Sequence, residues 1–121
     1  MIIREPIELN DLLSEALNDI HFDNIDELIS SLEHEFSNKI CIVLQAYGHP
    51  RGTVENFEID KDSLSIDNQS IFFNVEYYNY VYEGCKDRNL EIEENHSVEI
   101  KYYNGSLMVI GEDRPERNDE I

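Results

Sequence analysis

The apolar residues of the N-terminal third recur at the spacing of an α-helix. Residues three and four apart share one helix face, so apolar residues at these intervals predict an amphipathic helix. Segment 21–23 interrupts the pattern, and either Asp23 or Asn24 is a suitable N-cap for a second helix. Residues 1–38 are therefore predicted to form an αα-hairpin. The first apolar stripe is Leu9, Leu12, Leu13, Ala16, Leu17 and Ile20, and the second is Ile25, Leu28, Ile29, Leu32 and Phe36.

After Lys39 the hydrophobic pattern changes to one that favours β-strands. Residues 40–46 are apolar almost without interruption, which predicts a strand covered on both faces. Asn104-Gly105 lies between two alternating segments and is a strong signal for a two-residue hairpin. From Gly111 onward the chain is charged and has few apolar residues, which is typical of a frayed tail. The further predicted strands are residues 53–60, 63–66, 70–83, 90–93, 98–102 and 107–110.

Two helices followed by a series of strands predict the α+β class, with the αα-hairpin packed on one face of a mostly antiparallel sheet of five to seven strands. The 121 residues have the length of one domain, and 40% of them are hydrophobic, which is enough for a core. We therefore expect a single domain over residues 1–121. Residues 1–38 would form two helices, residues 39–110 the antiparallel sheet, and residues 111–121 a flexible charged tail.

The charge of the chain is unusual for a small domain. There are 27 Asp and Glu residues against nine Lys and Arg, a net charge of -18. Solubility alone requires a net charge of magnitude about 2–8, and a larger excess destabilises the compact state through self-repulsion. Residues 1–38 carry ten acids and one base, so the helices are expected to present an acidic surface. This single-sign surface predicts a basic partner.

A tyrosine-rich stripe follows the long strand 70–83. Side chains alternate between the two faces of a strand, so one set of residues is predicted to face the core and the other to form an aromatic and polar stripe. Tyr102 or Tyr103 is expected to extend the stripe on a neighbouring strand. The stripe fits either a half-buried second face beneath the helices or a binding surface, where tyrosine is enriched. The predicted core set is Ile71, Phe73, Val75, Tyr77 and Val81, and the stripe is Phe72, Asn74, Glu76, Tyr78, Tyr80 and Tyr82.

The residues give no support for catalysis, a metal or a cofactor. The four histidines and two cysteines lack zinc-ligand spacing, and there is no glycine-rich phosphate loop. Cys41 lies in an apolar run, and a disulfide with Cys85 has no spacing signal, so two reduced thiols are favoured. We therefore expect no enzyme activity and no cofactor.

The acidic composition also excludes several kinds of partner. Direct nucleic-acid binding needs a basic footprint on the protein, and anionic membrane surfaces repel a chain of this charge. The N-terminal residues lack the pattern of a secretory signal, and no apolar run approaches the length of a membrane-spanning helix. A cytoplasmic location is expected.

In size, acidity and α+β pattern, the chain resembles bacterial immunity proteins, which are small acidic proteins that neutralise secreted or contact-delivered toxins. The resemblance implies a non-catalytic antitoxin that binds a basic, neighbour-encoded toxin, often a nuclease, in a heterodimer. Charge and aromatic pattern, rather than a family motif, predict which residues bind this partner. They are Asp26, Glu27, Glu33, Glu35, Glu76, Tyr78, Tyr80 and Tyr82.

Other functions remain open at this level. A nucleic-acid mimic that inhibits a DNA-binding protein would use the same charge, but it requires regularly spaced surface carboxylates. A small ligand-binding or adaptor domain, or an enzyme whose acidity is incidental, would instead require a deep pocket or a self-association surface.

Overall fold

The structure, a computed structural model, describes residues 2–19, 21–47, 52–67, 69–83 and 88–113, with the backbone alone for residues 82, 83 and 88–90. These residues form an α+β fold of three helices and a curled antiparallel sheet of six strands. The elements are β1 (Arg4–Pro6), α1 (Asp11–Asn18), α2 (Ile25–His34), α3 (Ser37–Tyr47), β2 (Gly52–Thr53), β3 (Phe57–Asp67), β4 (Ser70–Glu83), β5 (Arg88–Tyr103) and β6 (Ser106–Gly111).

The two predicted N-terminal helices are confirmed. The Asn10 side chain accepts a hydrogen bond from the Leu13 backbone N–H at 2.8 Å and so caps α1. Asn24 is the N-cap residue of α2, although its side chain makes no capping hydrogen bond. The prediction that residues 1–38 hold only helices is incomplete, because the three-residue strand β1 precedes α1.

The prediction of a strand at residues 40–46 is wrong, because this segment lies within the helix α3. Its buried residues are Ile40, Val43, Leu44 and Tyr47, at intervals of three and four, and Ile42 between them is 49% exposed. A short apolar run fits a buried strand and a buried helix equally well, so its pattern alone does not decide between them. The run of strands that follows the helices therefore begins at β2 rather than at residue 39.

The sheet has the strand order β1-β6-β5-β4-β2, and β3 also pairs with β4. Strands β4 and β5 form a long hairpin whose register runs from Ile71 opposite Ile100 to Glu83 opposite Arg88. Residues 94–97 continue β5, so the two strands predicted at 90–93 and 98–102 are one strand. The Asn104-Gly105 hairpin is confirmed, and both residues have positive φ, 51° and 82°.

Strand β3 is irregular where the sequence predicts a connection between two strands. Its register with β4 shifts between Asp60 and Ser65, which leaves the segment around Lys61 outside the regular ladder. A bulge of this kind bends the strand and makes the sheet edge harder for other chains to pair with. Gly111 ends β6, and of the predicted tail only Glu112 and Asp113 are described.

The three helices cover one face of the sheet. Their apolar residues share a single buried cluster with Ile71, Phe73, Val75 and Tyr77 of β4, and Val81 is also buried, so the predicted core set of this strand is confirmed. Even-numbered residues of β4 point to the opposite face, which we call the outer face. In β5 the parity is reversed, because Val75 lies opposite the buried His96 and Tyr78 lies opposite Glu93.

Candidate functional site

An acidic and aromatic surface lies on the outer face, where β3, β4 and β5 run side by side. Residues directly opposite each other on paired strands project to the same face. The register places Glu58 opposite Glu76, Tyr78 opposite Glu93, and Tyr80 opposite Glu91. We call these six residues the tyrosine patch: Glu58, Glu76, Tyr78, Tyr80, Glu91 and Glu93.

The patch is accessible to solvent. The side chain of Tyr78 is 43% exposed, Tyr80 is half-buried beside it, and their ring centroids are 6.3 Å apart with the rings tilted by 37°. The four carboxylates are exposed. Tyr77 has the opposite orientation, since it is buried and its hydroxyl lies 3.0 Å from a carboxylate oxygen of Glu94. The described side chains of the stripe therefore form a solvent-facing surface and do not lie beneath the helices.

The negative charge of the patch is not balanced within the described part of the chain. Glu58 and Glu76 lie directly opposite each other, an arrangement of like charges that destabilises a strand pair. None of the patch carboxylates forms a salt bridge to a described cation. The four described cationic side chains lie elsewhere: Lys39 pairs with Glu5, Lys61 with Asp26, Lys101 with Glu99, and Arg4 lies over the Tyr103 ring.

Two of the helix residues predicted to bind a partner are engaged within the fold. Glu33 is half-buried, and its Oε2 accepts a hydrogen bond from the Ile59 backbone N–H at 3.1 Å. This bond joins α2 to the edge strand β3 and gives the Ile59 N–H, which faces away from β4, a hydrogen-bond acceptor. The Oε2 atom of Glu35 accepts a hydrogen bond from Asn10 Nδ2 at 2.8 Å, which joins the start of α1 to the end of α2.

The other two predicted helix residues lie on the exposed side of α2. Asp26 pairs with Lys61 at 2.6 Å, and this hydrogen bond and charge raise the pKa of the lysine. Glu27 accepts a hydrogen bond from Asn24 Nδ2 at 2.8 Å. Because α2 packs on the core face, these residues and the tyrosine patch lie on opposite sides of the sheet. The eight predicted residues therefore do not form one contiguous surface.

The structure also separates the other tyrosines from the patch. Tyr82 lies in β4, but its side chain is outside the described part of the structure. Tyr103 is on the outer face, yet it lies ten residues along β5 from Glu93, a distance of about 33 Å for an extended strand. Tyr103 is nevertheless on the same face as the stripe, four residues along β5 from Glu99, which lies opposite Phe72 at the other end of the stripe. Glu58, Glu91 and Glu93 were not predicted from the sequence, because their proximity to Tyr78 depends on strand register.

Among the described residues, no group of three or more histidine, cysteine or acidic side chains is arranged to hold a metal ion. His96 is buried, its ring packs on Tyr47 at 4.3 Å, and its Nε2 accepts a hydrogen bond from the Glu112 backbone N–H at 3.0 Å. Cys41 is a free, half-buried cysteine, and burial raises the pKa of its thiol. Cys85 lies outside the described residues.

A cleft of about 510 Å³ lies between the end of α1 and the connection from β3 to β4. Its described walls combine apolar side chains, such as Leu17 and Phe22, with Asp19 and Asp67. They include no histidine, cysteine or cationic side chain.

No protein-family model, curated protein or solved structure matches this chain. None of the described helices is both long enough and apolar enough to cross a membrane.

Proposed function

We propose that this chain is a non-catalytic cytoplasmic inhibitor that binds a cationic protein through the tyrosine patch. Its target would be a basic bacterial toxin, such as a nuclease, which makes the chain an immunity protein. The two would form a heterodimer in which the patch covers the Lys and Arg residues that the toxin uses to bind its substrate.

The observation that supports this proposal most directly is the pairing of Glu58 with Glu76 beside the exposed ring of Tyr78. Carboxylates directly opposite each other destabilise the sheet, and no described cation compensates them. A cationic partner would offset the repulsion between the two carboxylates, because each of them would gain an ion pair on binding. The free chain thus carries an electrostatic cost that complex formation removes.

The tyrosines would provide the shape-specific part of the interaction. Tyrosine offers a large apolar area with few rotatable bonds and a hydroxyl that forms hydrogen bonds, so it is enriched among residues that dominate binding energy. A guanidinium or ammonium group over the ring of Tyr78 or Tyr80 would add a cation–π contact of about 0.5–2 kcal/mol. Long-range attraction by the net charge of -18 would accelerate the encounter.

A nucleic-acid mimic has less support from the same surface. Such a mimic needs carboxylates at regular intervals, in place of successive phosphates. Along the outer face of β5, Glu91 and Glu93 are followed by Asn95 and Ser97, so the row of charges ends after two residues. A compact patch with central aromatic rings is more typical of a single protein partner.

The experiment is a growth-protection assay with the product of the neighbouring gene as the candidate toxin. Cells that express this product would be tested with the wild-type chain, with Glu58→Lys plus Glu76→Lys, and with Asp26→Lys plus Glu27→Lys. The two double variants change the net charge equally but on opposite sides of the sheet. We expect the wild-type chain and the helix variant to protect, and the sheet variant to lose protection and copurification with the toxin.

Equal loss of protection by both double variants would show that net charge, rather than the patch, is responsible. Loss of protection in the helix variant alone would show that the binding surface is on α2, as the sequence pattern of Asp26 and Glu27 suggests. Copurification of several DNA-binding proteins that dissociate at high salt would instead support the mimic. Circular dichroism of each variant would show that the fold is retained.

A further inference from the structure

We propose that the partner adds a β-strand to β5 beside the tyrosine patch, along the edge with which no described strand pairs; we call this the free edge. This inference rests on the proposed function and specifies how binding would occur. The added strand would carry Lys or Arg at alternate positions and apolar residues between them.

Part of β5 has no described neighbour on the β6 side, because β5 is much longer than β6. The register of β6 against β5 runs from Tyr103 opposite Ser106 to Val98 opposite Gly111 and stops there. Strand β5 continues to Arg88, paired on its other side with β4. Among the described residues, no strand pairs with the β6 side of β5 over Glu91–Glu94. This segment therefore has the geometry that β-strand addition uses.

The direction of the backbone groups follows from the contacts at the end of β6. The backbone N–H of Ser97 points to the β6 side of β5, since it donates to a carboxylate oxygen of Glu112 at 3.4 Å. Backbone groups two residues apart in an antiparallel strand point to the same edge. The N–H and C=O groups of Glu93 and Glu91 therefore face the free edge, whereas those of Ile92 and Glu94 face β4.

The side chains at this edge define the chemistry of the strand that fits. Residues opposite Glu91 and Glu93 would project to the outer face, next to Tyr80 and Tyr78, where cross-strand ion pairs with Lys or Arg are favourable. The residue between them would lie beside Ile92, whose side chain is 36% exposed on the other face. An apolar residue at that position would cover Ile92. This alternation distinguishes the proposed ligand from a generally basic peptide.

The same charges disfavour a second copy of this chain as the occupant. An antiparallel pairing of two β5 edges around this segment would bring Glu91 and Glu93 of one copy next to those of the other. Like charges directly opposite destabilise a strand pair, and acidic residues on an edge are a known means of preventing self-pairing. The edge thus rejects its own copy and favours a cationic strand.

The test uses the full chain and two synthetic peptides of identical composition. In one peptide lysine and valine alternate, and in the other the lysines and valines are grouped in blocks. Hydrogen exchange would be followed for the backbone amides of Glu91 and Glu93 with each peptide, at low and moderate salt. We expect the alternating peptide to bind about tenfold more tightly and to slow exchange at these two amides.

Glu93→Pro and Glu93→Thr form a matched pair of variants, because both remove the carboxylate but only proline removes the N–H. The Glu93 N–H faces the free edge, so proline breaks no bond to β4, and we expect circular dichroism to show that the fold is retained. We expect binding of the alternating peptide to be about tenfold weaker for Glu93→Pro than for Glu93→Thr. Equal affinities of the two variants would overturn the proposal.

Two further results would also overturn strand addition. One is slow exchange at the Glu91 and Glu93 amides in the free chain, which would show that the edge is already occupied. The other is equal binding of both peptides. If Glu93→Pro protects cells from the toxin as well as Glu93→Thr does, while Glu58→Lys plus Glu76→Lys does not, the inhibitory function stands and strand addition fails.

Discussion

Replacement of Glu33 tests whether this acid belongs to the fold rather than to a binding surface. Its Oε2 accepts the Ile59 N–H at 3.1 Å and holds α2 against the edge strand β3. A hydrogen bond to a charged group contributes about 1.5–3 kcal/mol, and the half-buried position of Glu33 places it near or below the lower end of this range. We therefore expect Glu33→Ala to lower the free energy of unfolding by about 1–2 kcal/mol, and Glu33→Gln, which keeps an acceptor oxygen, to lower it less.

Urea denaturation followed by circular dichroism is the appropriate assay. With a typical urea dependence of about 2 kcal/mol per molar, the midpoint of Glu33→Ala should fall by about 0.5–1 M. Glu27→Ala is the matched control, since it removes a carboxylate from the exposed side of the same helix. Both replacements remove one negative charge from α2, and Glu27→Ala also loses the exposed hydrogen bond from Asn24, so the difference between them is a lower limit for the bond to Ile59. Equal midpoints for Glu33→Ala and Glu27→Ala, or for Glu33→Ala and Glu33→Gln, would refute this reasoning.

Two further predictions concern α3. A Cβ atom on Gly111 would lie 2.7 Å from the Tyr47 hydroxyl and closer still to the ring, so Gly111→Ala should destabilise the fold by about 1–3 kcal/mol in urea denaturation. The same change should cost much less in a Tyr47→Leu background, and additive effects in this double-mutant cycle would contradict the assigned clash. Because burial raises the pKa of the Cys41 thiol, the folded state disfavours the thiolate. With the other cysteine replaced by serine, iodoacetamide should modify the folded chain more slowly than the urea-unfolded chain, and stability should fall as the pH rises above about 8.5. Equal modification rates at pH 8 would show that Cys41 is not protected by burial.

The features predicted correctly from the sequence depend on local patterns. The stripes containing Leu13 and Leu28 identify α1 and α2, because helical periodicity requires no knowledge of the rest of the fold. Alternation along β4 assigns Phe73 to the core and Tyr78 to the outer face for the same reason. The Asn104-Gly105 turn is equally local, since two positive φ angles favour these residue types.

The predictions that failed required information about distant parts of the chain. Residues 40–46 form a helix because α3 packs its Ile40, Val43 and Leu44 side chains against the sheet while Ile42 remains exposed, and the apolar run itself does not specify this arrangement. The role of Glu33 depends on the position of Ile59, which is 26 residues away in the sequence. In the sequence, Glu33 looks like any other acid on a polar helix face.

The sequence by itself determined the class of the fold, the two N-terminal helices, the face of β4 that is buried, and the excess of negative charge. Each follows from composition or from the spacing of apolar residues within a single helix or strand. Only the tertiary structure decided which acids lie together, because strand register brings Glu58, Glu91 and Glu93 to Tyr78 and Tyr80. It also decided that the acidic side of α2 and the tyrosine patch lie on opposite sides of the sheet. The physical reason is that register and packing are set by contacts between elements, which no local period encodes.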